Sequence, residues 1–163
     1  MLSAKLVIKV GVLIVFRNQL LLIKEKSRYD NQYHWNTVGG KLEPKKDKSL
    51  LKTAERESKE EAGAKIKNLR LFSIIEVRKN DKFIIQVNFL ADLKNKTFRV
   101  PDRSEQKKHD EDIVEVKLFN KKILQKMKRK DFINDRAHLT VREWLKAFSI
   151  KTAGTPRYLF INF

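Results

Sequence analysis

The chain is 163 residues long, carries a formal net charge of +17, is 41% hydrophobic and contains no cysteine. That length suits one domain over residues 1–163 whose core buries more than half of its surface, while the missing thiols exclude disulfides, thiolate metal sites and a cysteine nucleophile. The positive charge suits nucleic acid, a membrane surface or phosphate-rich small molecules as partners, and serves solubility equally well.

Lys5 to Phe16 is rich in Val and Ile and reads as a strand. Lys9 interrupts its apolar run, no small-residue cleavage site follows, and the run is too short to span a bilayer. A buried strand in a cytoplasmic protein is therefore expected, with no membrane contact. Arg17-Asn18-Gln19 breaks the pattern, and Leu20 to Lys24 returns as the second strand of a hairpin. Residues 25–36 read as a polar loop bearing Tyr29, Tyr33 and Trp35. These rings either stack on a base or ribose or pack as a lid on the core.

Val38 to Ala64 has the densest chemistry. It opens with Gly39-Gly40, passes a turn carrying Lys41, Lys45, Lys46 and Lys48, and continues as a helix for which Ser49 is the cap. Leu50, Leu51, Ala54 and Ala62 are its expected buried side. Glu57, Glu60 and Glu61 stand at i, i+3 and i+4, so their carboxylates share one face. Three like charges so close repel unless a cation lies among them, and hard divalent ions prefer carboxylate oxygens. Arg56 stands beside them and can orient a carboxylate, and Gly63 ends the helix at a C′-like position. A solvated helix face pairing Glu57 and Glu61 with Lys52, Lys59 and Lys65 is the competing reading. The Gly39-Gly40 backbone can approach a metal or phosphate because glycine lacks a β-carbon. The turn lysines either contact a polyphosphate or are simply solvated.

Lys65–Val77 and Phe83–Asp92 are the next strands, joined by a turn at Lys79-Asn80-Asp81. Phe83, Ile85, Val87 and Phe89 alternate with Ile84, Gln86 and Asn88, which predicts one strongly buried face. Residues 93–112 lack periodicity and read as a long loop containing Glu105, Asp110, Glu111 and Asp112, followed by a strand over Ile113–Phe119. Residues 117–130 carry seven basic residues and no acid. Ile123, Leu124 and Met127 there predict a short amphipathic helix with a cationic outer face, to which RNA would bind. Asp135–Phe148 predicts a helix burying Ala137 or Leu139, with Val141, Trp144, Leu145 and Phe148. Gly154-Thr155-Pro156 breaks the chain, and the apolar tail (149–163 in all) is expected to add an edge strand or to pack on a partner subunit in a homodimer. His34, His109 and His138 show no ligand spacing and read as surface or loop residues.

The order of Gly40, Arg56-Glu57, Glu60-Glu61 and Gly63 resembles the Nudix box, G-x5-E-x7-R-E-U-x-E-E-x-G-U, of the Nudix hydrolases. Trp35 and the run from Gly39 to Pro44 resemble the approach to that box. The chain departs from the pattern in its first half, which is two residues longer; Lys48 stands at the register of the first box glutamate, and Asp47 is the nearest acid. Ser58 stands where an apolar residue is expected, and Ala64 is a weak last apolar position.

The resemblance implies an α/β fold with a mixed β-sheet sandwiched between α-helices. It also implies hydrolysis of a nucleoside diphosphate linked to another moiety, with Mg²⁺ (or Mn²⁺) held by Glu57, Glu60, Glu61 and the Gly40 backbone. Glu57, Glu60, Arg56 and an acid of the 105–112 segment would then be catalytic, with Glu111 preferred over Asp110 and Asp112, and Glu105 last. Gly39, Lys41, Tyr33 and Trp35 would bind substrate. No tyrosine occurs in residues 64–100, and Pro101 lies too far on for the ADP-ribose pattern. A nucleoside-triphosphate pyrophosphohydrolase is thus expected first. The alternatives are an ADP-ribose or nucleotide-sugar pyrophosphatase, an RNA 5′-pyrophosphohydrolase, and a non-catalytic nucleotide- or RNA-binding module.

Overall fold

The computed structural model describes residues 5–79, 81–149 and 157–162. Its centre is β1 (Lys5–Phe16), which runs parallel to β6 (Lys82–Leu93) from Lys5↔Lys82 to Val15↔Asp92. The other edge of β1 is shared. β4 (Val38–Lys41) pairs antiparallel with Lys9–Val12, and β2 (Gln19–Lys26) pairs with β1 only at Val15 and Phe16. Arg17 and Asn18, both at positive φ, make the tight turn between β1 and β2. β2 then peels away to lie between β3 (Tyr33–Asn36) and β7 (Ile113–Phe119). On the far side β5 (Ile66–Lys79) pairs antiparallel with β6, and β8 (Arg157–Asn162) pairs parallel with β5.

The pleat sends alternate residues of β1 to opposite faces. Val10, Val12 and Ile14 pack with Val38, Val87 and Phe89 beneath Ala54 and Ala62 of helix α1 (Leu50–Ala62). Leu13 joins Leu20, Leu22 and Leu90 on the other face. There they pack with Leu124 of α3 (Lys121–Lys126) and with Ala137, Val141, Trp144 and Leu145 of α4 (Asp135–Ser149). The expected mixed sheet between helices is thus the architecture found. The apolar tail forms its edge strand with backbone partners in the same chain.

Several expectations need correction. The 25–36 segment is not one loop, because β2 runs to Lys26 and β3 puts Tyr33 and Trp35 on a strand. The 93–112 segment contains α2 (Arg103–His109), a short polar helix that periodicity misses because only Gln106 on it is buried. Its signal was local: Asp102 accepts from the Glu105 N–H, and the Glu105 side chain accepts from the Asp102 N–H. The basic 117–130 stretch is not one cationic helix. It divides among the end of β7, α3 and a 3₁₀ turn at Arg129–Asp131, leaving Ile123 exposed while Leu124 is buried. Leu51 is exposed rather than buried. On α4 the buried residue is Ala137, with Leu139 only half-buried; the side chain of Phe148 lies outside the described residues. Asn80 and the 154–156 break also lie outside them. Gln86 and Asn88 are buried as well as Val87 and Phe89, so the later half of β6 is covered on both faces.

Candidate active site

Helix α1 starts where the Ser49 side chain accepts from the Lys52 N–H. It ends where Gly63, at φ +57°, lets its own N–H and that of Ala64 reach back to the Lys59 and Ser58 carbonyls. Between these caps the helix presents Glu57 and Glu61 inward, both buried. Ser58, the apparent lapse from an apolar pattern, is fully buried, and its hydroxyl donates to the Ala54 carbonyl one turn back. Burying a serine there costs little because its hydrogen bond is made inside the helix.

Glu57, Glu61 and Glu111 each offer a carboxylate oxygen within 4.8 Å of the others. The Gly39 N–H donates to Glu61 Oε2 at 2.7 Å. Gly40 lies directly under Glu57, and a β-carbon there would overlap the carboxylate, which explains glycine at this position. Burial pushes Glu57 up to about 7 and Glu111 up to about 7, with neighbouring carboxylates adding to it. Burial also raises Glu61 well above the usual carboxylate range, aided by Glu25, Glu57 and Glu111. Glu111 Oε2 is buried and has no hydrogen-bond partner. Hard oxygen donors, carboxylates whose raised pKa values reflect burial and mutual repulsion, and an orphaned carboxylate oxygen fit a divalent cation such as Mg²⁺ or Mn²⁺.

Arg56 orders this cluster. Its Nε and Nη2 donate to the two oxygens of Asp47 at 2.9 and 2.8 Å, a two-pronged pair. Nη2 also donates to the Lys41 carbonyl at 3.1 Å. Nη1 lies 2.8 Å from Glu57 Oε1 and donates to Glu60 Oε2 at 2.9 Å. Asp47 is buried, and the Arg56 guanidinium holds it well below the usual carboxylate range. Asp47 therefore supplies the carboxylate that anchors Arg56 from the lengthened turn, in which Lys48 occupies the pattern's acidic register.

The remaining expected residues separate clearly. Glu60 faces Arg56, with His109 Nδ1 3.5 Å away, and does not share the triad's 4.8 Å separation. Of the four acids weighed in 105–112, Glu111 alone reaches the cluster. Asp110 pairs with Arg28, Asp112 accepts from the Tyr33 hydroxyl, and Glu105 pairs with Arg99. Gln106 positions Glu111: its carboxamide donates to the Pro101 and Ile113 carbonyls and accepts from the Ile113 N–H at 2.6 Å. Tyr33 is exposed, and Trp35 packs edge-on against Phe119 at 4.7 Å. Trp35 lines a separate hollow of about 360 Å³ with Ile123, Met127 and Lys126, and Tyr29 is 90% exposed. The Lys41 side chain is exposed while its carbonyl serves Arg56.

Sequence reasoning missed Glu25, Lys9 and Gln106. Glu25 is held by the Asn36 amide at 2.5 Å, and its charge acts on Glu61 and Glu111. Lys9 is lowered to about 8, chiefly by burial, with Arg136 and Lys41 adding to it, while Glu25 and Glu61 pull the other way. Lys9 lies on a strand that reads as ordinary sheet and Glu25 in the segment that reads as a polar loop, and only the crossing of β1, β2 and β4 brings them beside α1.

The sheet splits around β1, and over its glycine pair α1 presents the carboxylates of a candidate metal centre. The NUDIX domain model matches residues 5–141, and the chain belongs to the Nudix hydrolase family. Among curated proteins none matches its sequence. Solved structures resemble it closely in fold. A Nudix hydrolase from Nitrosomonas europaea superposes with a TM-score of 0.73 at 22% identity, covering 96% of this chain and 79% of that one. A MutT Nudix hydrolase from Burkholderia pseudomallei gives 0.65 at 18%, covering 85% and 98%. An ADP-ribose pyrophosphatase from Streptococcus suis gives 0.64 at 18%, covering 93% and 98%. Among the described residues no helix is long and apolar enough to cross a membrane.

Proposed function

We propose that this chain works as one domain that hydrolyses a nucleoside diphosphate linked to another moiety, with a nucleoside triphosphate as the preferred substrate and pyrophosphate as the leaving product. The observation that carries this is the convergence of Glu57, Glu61 and Glu111 within 4.8 Å, with one oxygen of Glu111 buried and unpartnered. Glu57, Glu61 and Glu111 would hold Mg²⁺ or Mn²⁺, with Glu60 and the Gly40 backbone at the margin. The ion, when bound, would neutralise the diphosphate's charge and lower the pKa of an attacking water.

The chain's own residues do the rest. Arg56 fixes Glu57 and Glu60 against the helix, so their carboxylates stay in place as charge develops. The Gly39–Gly40 strand lets the diphosphate lie close to the backbone. Glu111 Oε2 takes the proton of the water whose oxygen attacks phosphorus, and the bridging P–O bond breaks to release the second product. The named relatives include both a MutT protein and an ADP-ribose pyrophosphatase, so ADP-ribose is the second reading.

The test is product release from dNTPs, oxidised dNTPs, ADP-ribose, nucleotide-sugars and 5′-triphosphorylated RNA with Mg²⁺ or Mn²⁺. Metal-dependent release of pyrophosphate from a triphosphate, abolished in Glu61→Gln, is the expected result. Turnover confined to ADP-ribose would move the assignment to the second reading. Silence across the panel in a protein that binds no metal would overturn both.

A further inference from the structure

On the outer flank of α1, away from the sheet, the lengthened turn and α2 enclose a groove of about 690 Å³. Asp47, Glu55, Glu60 and Glu105 are the acids on its wall, and each already has a cation. Asp47 and Glu60 are held by Arg56, Glu55 by Lys52 at 2.6 Å, and Glu105 by Arg99 at 2.7 Å. Lys46, also on the wall, is paired with Glu43 at 2.8 Å. That leaves Lys48, Lys59 and Lys108, which reach the groove from three separate elements. Among the described residues none of these three has a carboxylate within ion-pair distance.

Three unpaired lysines on the wall of one concavity give it positive charge, which suits a multivalent anion. The groove's volume lies within the ordinary range of small-molecule sites. It also borders the carboxylate cluster at Arg56, which lies on the groove wall. A single nitrogen, Nη1 of Arg56, serves both Glu57 of the cluster and Glu60 of the groove wall. A chain of phosphates whose scissile bond lies at Glu57, Glu61 and Glu111 can therefore run past Arg56 into the groove. Two independent features of the sequence build it: the lengthened turn, which carries Lys48, and the short helix α2, which carries Lys108.

We propose that this groove is an oligophosphate subsite, in which Lys48, Lys59 and Lys108 take the phosphates of a nucleotide that extend beyond the cleaved bond. The proposal rests on the reading of the carboxylate cluster as the hydrolytic centre, and it selects ligands with three or more phosphates over simple diphosphates.

The first probe is inorganic tripolyphosphate, titrated calorimetrically into metal-free protein, so that this readout does not depend on turnover. Wild type is expected to bind it at least tenfold more tightly than orthophosphate. The K48Q/K59Q/K108Q variant, changed only at exposed side chains, is expected to lose about tenfold. Equal affinity for the two anions, or no loss in the variant, overturns the proposal. The second measurement is the ratio of kcat/KM for a nucleoside tetraphosphate to that for the matching nucleoside diphosphate-sugar. That ratio should fall about tenfold in the variant, and an unchanged ratio counts against the subsite. Lysine-dependent binding of a 5′-triphosphorylated RNA without binding of tripolyphosphate would also overturn it, in favour of nucleic acid. Failure of all hydrolysis with tripolyphosphate binding intact would instead remove the hydrolytic reading and leave an oligophosphate-binding groove.

Discussion

Beneath α4, Asn88 donates to the Ser73 hydroxyl at 3.0 Å and to Thr140 at 3.4 Å, and accepts from the Gln86 amide at 2.8 Å. Gly11 makes room for Asn88, whose Oδ1 occupies the space that a β-carbon on β1 would fill. Beneath α1, across the same sheet, Glu57 and Glu61 are as deeply buried but meet other carboxylates. Both regions bury polar groups. In the first, neutral donors and acceptors satisfy each other, which rigidifies a core. In the second, folding leaves charge to be completed from outside, and such burial is maintained by what it binds.

The contrast is broken most severely by neutralising the carboxylates. Glu57→Gln, Glu61→Gln and Glu111→Gln are each expected to lower kcat by about 10²–10⁴-fold and to weaken Mn²⁺ binding measured by calorimetry. The same variants should melt no lower than wild type without metal, because each removes a repelling charge. A metal-free melting point that drops in all three would contradict the account of the cluster.

Removing the cation that orders the cluster has a different signature. Arg56→Gln leaves Asp47 buried without its partner, a loss of about 3–5 kcal/mol, and frees Glu57 and Glu60. Turnover and thermal stability should fall together, which chemical denaturation alongside kinetics would show.

On the α4 side the order reverses. Asn88→Ala strands Gln86, Ser73 and Thr140, a cost of about 1–3 kcal/mol. Its Tm should fall by about 2–4 °C for each kcal/mol, with kcat changed far less than in the glutamate variants. Gln106→Ala falls between the two regions. It should cost about 1–3 kcal/mol for the backbone groups it exposes, and also lower kcat, because Glu111 depends on that clamp. Stability loss with an unaltered pH–rate profile would make Gln106 merely structural.

A pH dependence also separates the two regions. Glu57 and Glu111 are raised from an ordinary 4.5 to about 7, so the folded state keeps protons there that the unfolded chain releases. Metal-free stability should therefore fall as pH rises from about 4.5 to 7 and level off above that. Saturating Mg²⁺ should flatten or reverse the trend. Melting curves between pH 5 and 8, with and without Mg²⁺, would check both.

Local periodicity and spacing determined much of this protein. The run of Val and Ile in β1, the caps Ser49 and Gly63, and the placing of Glu57, Glu60 and Glu61 on one helix are all short-range facts, and a helix or strand expresses them wherever it packs. Which carboxylates meet is a long-range fact. Glu111 joins Glu57 and Glu61 from a segment about fifty residues on, while its neighbours Asp110 and Asp112 turn to Arg28 and Tyr33. Asp47 lies in a turn of unusual length, so spacing alone leaves it merely the nearest acid, whereas the fold makes it the two-pronged partner of Arg56. Lys9 looks like a strand residue and Glu25 like a loop residue until β2 leaves β1 and the sheet opens beside α1. The sequence encodes these meetings only through packing, because each depends on where two distant backbones cross and on which face each strand turns to the helix.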